Sequence, residues 1–164
     1  MGGVLLFPPP AFAPAVIACA AALVATACAP PAGPSPVRRD PVVIVAGTTA
    51  SGPIADIGYS TMASRLRSDG YDVTIFGLPG FGLGDIRDTA VALAGSVEDV
   101  LARTGASHVD LIGHSQGGLV SRWYVERLGG DAVVDSLVSI AAPHAGSVAA
   151  NIAVLLGLGS CIGI

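Results

Sequence analysis

Charge is scarce in this chain. Of 164 residues only 12% are Asp, Glu, Lys or Arg, with 8 basic residues against 12 acidic ones and a net charge of −4. No basic stripe exists to neutralise phosphates, which argues against nucleic acid as a partner. Cysteine is scarce too: Cys19, Cys28 and Cys161 are the whole set. No C-x-x-C pair occurs, so nothing suggests a zinc or redox site, and no metal or cofactor is expected. Internal repeats are missing. What the chain has in quantity is apolar surface and punctuation, with 52% apolar residues, 22 Gly and 12 Pro. That is too apolar for disorder and too interrupted for a helical bundle. The length suits one domain with one core.

Part of the apolar excess lies at the front. Residues 11–27 are nearly all Ala, Val, Leu and Ile, and Ala25-Thr26-Ala27 is an A-x-A cleavage signal. Residues 1–27 are therefore expected to be a secretory signal peptide, giving a secreted, extracellular product. No Lys or Arg precedes the run, and Pro8-Pro9-Pro10 is unusual there. A short membrane anchor is the alternative, the run being at the lower limit for a span. Cys28 directly after Ala27 also allows a membrane-anchored lipoprotein. Residues 28–41 read as a Pro-rich extended linker, and the folded domain is expected over 42–164.

Within that domain the pattern alternates. Val42-Val43-Ile44-Val45-Ala46 is a β-branched run, as for a strand buried on both faces of a parallel sheet. A small-residue loop over 47–53 leads to a helix with Ile54, Ile57, Met62, Ala63 and Leu66 at helical spacing, ending at Asp69-Gly70. A second strand is predicted over 71–76, then a Gly-rich loop over 77–84. The next helix is predicted from about 85 to 104, with Val91, Ala94, Val97, Val100 and Leu101 on its apolar stripe. A third strand over 108–112, a helix reaching Leu128 and a fourth strand over 136–141 complete the series. The order β-α-β-α-β-α-β implies an α/β fold, a mostly parallel sheet with helices on both faces. Function in such sheets gathers at the carboxyl ends of the strands.

Gly113-His114-Ser115-Gln116-Gly117 fits G-x-S-x-G. It follows the apolar strand Val109-Asp110-Leu111-Ile112 and precedes a helical stretch. This strand–turn–helix context is what a nucleophile elbow requires. Glycines flank the serine because backbone segments come too close for side chains in so sharp a turn. The helix beginning there aims N–H groups and its positive dipole end at an oxyanion. Ser115 is the candidate nucleophile. The Gln116 N–H is one candidate oxyanion donor. The second normally comes from the loop after an earlier strand, which selects the Thr48 N–H.

A serine nucleophile needs a histidine base and a carboxylate that orients it. After Ser115 the acids are Glu126, Asp131 and Asp135, all before the fourth strand, and residues 136–164 contain none. His108 begins a strand at the far edge. His114 is held on the turn itself and does not easily point at the Ser115 hydroxyl. His144, in Pro143-His144-Ala145-Gly146, sits at the active edge and is expected to shape a loop or pocket. The apolar tail over 148–164 reads as a lid segment cut off in mid-element. Together with residues 77–84 it is placed as a wall or cover of the acyl pocket. The expectation is an α/β-hydrolase-like domain truncated after the strand that follows the elbow.

Three motifs carry a family resemblance: Pro41-Val42-Val43-Ile44-Val45-Ala46-Gly47-Thr48, Asp110-Leu111-Ile112-Gly113-His114-Ser115-Gln116-Gly117-Gly118 and Ala141-Ala142-Pro143-His144-Ala145-Gly146-Ser147. They resemble secreted bacterial triacylglycerol lipases of the α/β-hydrolase superfamily, across residues 41–147. The family's first motif usually reads His-Gly where this chain has Ala46-Gly47, and its acid and histidine have no match here. The resemblance implies Ser115 as nucleophile and Thr48 and Gln116 as oxyanion donors. It implies a lipid or other acyl-ester substrate, with transient lipid-surface contact. An acyltransferase or thioesterase of the same fold, and a non-catalytic truncated hydrolase, are the alternatives. Oligomeric state is not legible.

Overall fold

The computed structural model describes residues 39–146. The expectations for the leader, for most of the linker and for the tail over 148–164 lie outside the described residues. Four strands form one parallel sheet in the order β2-β1-β3-β4. They are β1 (Val42–Val45), β2 (Val73–Phe76), β3 (Val109–His114) and β4 (Val134–Ile140). Three helices connect them: α1 (Pro53–Ser68), α2 (Ile86–Thr104) and α3 (Gln116–Arg127). The expected element order and parallel topology are both present. Among the described residues no helix is long and apolar enough to cross a membrane.

β1 is buried along its whole length because both faces are covered. Side chains alternate across a strand. Val43 and Val45 join Leu78, Leu93, Val97, Val109, Leu111 and Val120 in a core under α2 and α3. Val42 and Ile44 turn the other way, onto Ala63, Tyr59, Met62 and Leu66 of α1.

Two expected helix stripes are rotated from where the sequence put them. On α2 the inward row is Ile86, Thr89, Ala90, Leu93, Val97 and Val100. Val91 is 60% exposed. At 100° per residue it lies about 120° round the helix from Val97, so both cannot face the sheet. On α1 the buried positions are Ala55 and Ala63, whereas Ile54 and Ile57 are 56% and 76% exposed. Nine residues separate Ile54 from Ala63, which puts them on roughly opposite sides of the helix.

Strand ends differ by small steps with identifiable causes. β2 begins at Val73, directly after Asp72, which already bonds to β1 and to α2. Its carbonyl accepts the Val42 N–H, and its carboxylate is gripped by both terminal nitrogens of Arg103 from the last turn of α2. β3 runs on through Gly113 and His114, which pair in register with Ser139 and Ile140. β4 ends where Ala141 takes a positive φ of 51° and turns the chain away. Asp85 caps α2 by accepting the Arg87 N–H, and the Arg87 guanidinium holds its carboxyl down to about pKa 2. Gly105, at φ 64°, closes the helix as a left-handed cap.

Candidate active site

Because all four strands are parallel, their carboxyl ends share one edge. That edge brings together the loops after β1 (47–52) and β2 (77–84), Ser115 after β3, and the turn after β4. Ser115 has φ 54° and ψ −123°, a backbone conformation that a residue with a side chain adopts only at a cost of roughly 1–3 kcal/mol. The surroundings hold it there. Its N–H donates to the Ile140 carbonyl at 2.9 Å, and its carbonyl accepts the Gly118 N–H as α3 begins. A Cβ on Gly113 would stand 2.6 Å from the Cα of Gly118, and one on Gly117 would overlap the carbonyls of Val45 and Ala46. The turn closes this tightly only with glycine at both positions.

The loop after β1 lies directly against this turn. A Cβ on Gly47 would be 3.1 Å from the Ser115 Cβ. The next residue is Thr48, whose Oγ1 donates to Oε1 of Gln116 at 2.9 Å. Thus Thr48, Ser115 and Gln116, each singled out from the sequence, meet at one point. Gln116 opens α3, so its N–H has no acceptor within the helix.

The histidines are engaged elsewhere. The Gly47 N–H donates to the Tyr59 hydroxyl at 2.8 Å, and that hydroxyl lies 2.8 Å from Nδ1 of His114. The Tyr59 hydroxyl thus joins the loop after β1 to the end of β3, with the donor of its bond to Nδ1 set by the His114 tautomer. His144 turns back onto its own strand, with Nε2 2.8 Å from Ser139 Oγ and Nδ1 buried without a partner among the described residues. His108 precedes β3, at the opposite edge. Ser115 Oγ has no hydrogen-bond partner among the described residues.

A cleft of 410 Å³ opens beside the elbow on the α1 face. Ala50, Ile54, Gly58, Tyr59, Met62, His114 and Ile140 line it. The wall is apolar except at the Tyr59–His114 pair. Neither residues 77–84 nor His144 is among its lining. The Gly-rich loop packs behind the loop after β1, with Leu78 and Gly82 buried, and His144 shapes the turn after β4. Tyr59 was missed from sequence because a tyrosine on a helical apolar stripe reads as core. Its hydroxyl becomes meaningful only when α1 folds over the end of β1.

At the opposite end of β3 sits Asp110, whose Oδ1 is buried without a partner among the described residues. Burial pushes its carboxyl above the usual range, and the nearby Asp40 charge adds to this. Hydrogen bonds from Ser136 oppose the shift, and Asp135 reinforces it. It is remote from Ser115 along the strand. Among the described residues no group of three or more His, Cys, Asp or Glu is placed to hold a metal ion.

With this geometry in hand, the match to known proteins is direct. Residues 40–157 fit the family model described as the alpha/beta hydrolase fold. The chain belongs to the α/β-hydrolase family. It is 42% identical over 113 residues to a triacylglycerol lipase of Pseudarthrobacter phenanthrenivorans, covering 66% of this chain and 34% of that protein. A triacylglycerol lipase of Burkholderia plantarii is also 42% identical over 113 residues, covering 66% of this chain and 31% of that one. The chain thus spans about a third of the length of these relatives. Among solved structures, Bacillus licheniformis lipase BlEst2 in its mature form superposes with a TM-score of 0.63 at 24% identity, over 76% of this chain and 49% of its own. Aspergillus fumigatus lipase B gives 0.59 at 25% identity, over 70% and 28%. Both of these solved lipases share the fold described above.

Proposed function

We propose that the protein is a carboxylic ester hydrolase acting on lipid acyl esters, with Ser115 as its nucleophile. The observation that carries this reading is the backbone of Ser115. A serine held at φ 54° between a strand and a helix, with glycines clearing space around it, is built to present its hydroxyl at the sheet edge. The N–H groups of Gln116 and Thr48 nearby, without a hydrogen-bond partner among the described residues, and an apolar cleft alongside, support it. So does the likeness to proteins named triacylglycerol lipases.

In this mechanism Ser115 Oγ attacks the ester carbonyl carbon and its proton passes to a base. Nδ1 of His114 and Nε2 of His144 are turned to Tyr59 and Ser139 rather than to Ser115. The carbonyl oxygen becomes an oxyanion and accepts hydrogen bonds from the Thr48 and Gln116 N–H groups. Collapse breaks the bond to the alcohol, which leaves with the proton, and an acyl-serine remains. Water repeats the sequence and releases the acid. The cleft at Ile54, Met62 and Ile140 would take an apolar arm of the ester. Ser115→Ala in the whole protein is expected to remove p-nitrophenyl ester turnover by several orders of magnitude, and to abolish labelling by a fluorophosphonate probe. Retained turnover in that variant would overturn the assignment.

A further inference from the structure

Hydrolysis through Ser115 asks the Thr48 N–H to stay fixed beside the elbow, yet Thr48 lies in a loop of small residues with little to pack. Thr48 itself is exposed, and Thr49 has a positive φ of 70°. What stands behind the loop is a second one. Gly80, Phe81 and Gly82 all have positive φ, at 57°, 60° and 72°, and along this run the Phe81 carbonyl meets the first loop while the Gly80 carbonyl accepts the Leu83 N–H. The Thr49 N–H donates to the Phe81 carbonyl at 2.9 Å, and the Leu78 N–H donates to the Ala50 carbonyl at 3.0 Å. Between the two loops lies the Gln116 side chain, 6% exposed. Its Oε1 accepts the Thr48 hydroxyl at 2.9 Å and its Nε2 donates to the Gly82 carbonyl at 2.8 Å. A Cβ on Gly82 would overlap Gln116 Oε1, so the amide occupies a cradle that glycine leaves open.

We infer that the Gln116 side chain is a positioning residue, a brace that sets one oxyanion donor against the other. Its own backbone N–H is the donor on the elbow. Its amide reaches across to hold Thr48, whose backbone N–H is the second donor, and is itself anchored to Gly82. The Gly-rich loop over 77–84 is then the buttress of the oxyanion hole. A primary amide suits the task because it accepts on one side and donates on the other, in one plane. This inference rests on the ester-hydrolase reading above.

The test uses the whole protein and four variants: Thr48→Val, Thr48→Ser, Gln116→Met and the double variant Thr48→Val with Gln116→Met. Thr48→Val keeps the shape of an exposed side chain and removes only the hydroxyl. Gln116→Met keeps the length of the side chain and removes both hydrogen bonds. Each single variant is expected to lower kcat about tenfold with KM for the same ester within about twofold, since the N–H it positions matters only once the oxyanion forms. The double variant is expected to fall no further than the worse single one, as two ends of one connection do. Thr48→Ser, which keeps the hydroxyl, is expected to recover most of the kcat lost in Thr48→Val. Unchanged kcat in Gln116→Met beside a loss in Thr48→Val would overturn the brace and make the hydroxyl itself the acting group. Additive losses, or a KM that rises while kcat holds, would overturn it as well. A wild-type protein inactive on every ester would overturn the underlying reading instead, which keeps the two failures apart.

Discussion

The two faces of the sheet are built differently. Under α2 and α3 the sheet is sealed: Val43, Val45, Leu93, Val97, Leu111 and Val120 are all fully or almost fully buried. Over the other face, among the described residues, α1 covers β1 and β2, touches β3 and leaves β4 open. There Ile112 pairs in register with Val138 and His114 with Ile140. Val138 remains 52% exposed and Ile140 38% exposed. Among the described residues β4 is also the edge strand, with its backbone groups open on one side. The sealed face is where α3 leaves the elbow, and close packing there holds Ser115 in a costly conformation. The open face is where the cleft lies, beside His114. One side of the sheet fixes the backbone of Ser115, and the other leaves an open cleft beside it.

The contrast is sharpest in stability. Leu93→Ala, on the sealed face, is expected to cost about 2–5 kcal/mol through lost burial and a cavity that dense packing does not refill. Ile57→Ala, an equally apolar truncation at an exposed position of α1, is expected to change stability by no more than about 0.5 kcal/mol. Urea unfolding midpoints of the two variants check both. Equal losses would mean that the open face is covered in solution. Next in size comes the cleft. Ile54→Trp should fill it and lower turnover on long-chain p-nitrophenyl esters roughly tenfold, about 1.4 kcal/mol, while sparing the acetate. A uniform loss at all chain lengths would remove the cleft from substrate binding.

The smallest effect concerns Asp110, at the far end of the open face. Its pKa is raised in the folded state, chiefly by burial, so the folded protein binds the proton more tightly than the unfolded chain does. The sign follows: this group favours folding below the unfolded carboxylate pKa of about 3.9, and that contribution is lost as pH rises through the folded value. Asp110→Asn is therefore expected to raise Tm at pH 7 modestly, with the difference vanishing below about pH 4. A lower Tm at pH 7 would show instead that the ionised carboxylate has a partner beyond the described residues.

Much of this was legible in advance, and the reason differs by element. Strands such as Val42–Val45 announce themselves because burial on both faces requires an unbroken β-branched run. The elbow is legible because only glycine fits at 113, against Gly118, and at 117, against the carbonyls of Val45 and Ala46, so the pattern survives as text. The α1 and α2 stripes were harder. Both helices carry more apolar residues than one face can hold, and composition does not say which ones turn inward. Val91 and Ile54 could have been core. Their helices' rotation was set by how Leu93 and Ala63 fit the sheet.

By itself, then, the sequence determined the order of elements, the parallel sheet and the identity and place of Ser115, because these follow from short-range spacing and the sterics of glycine. Tertiary structure decided which side chains met there. Tyr59 reaching His114 and Gly47, Gln116 spanning Thr48 and Gly82, and the cleft opening beside α1 all join residues far apart in the chain. Such pairings depend on how strands register and helices rotate, and no local pattern encodes them.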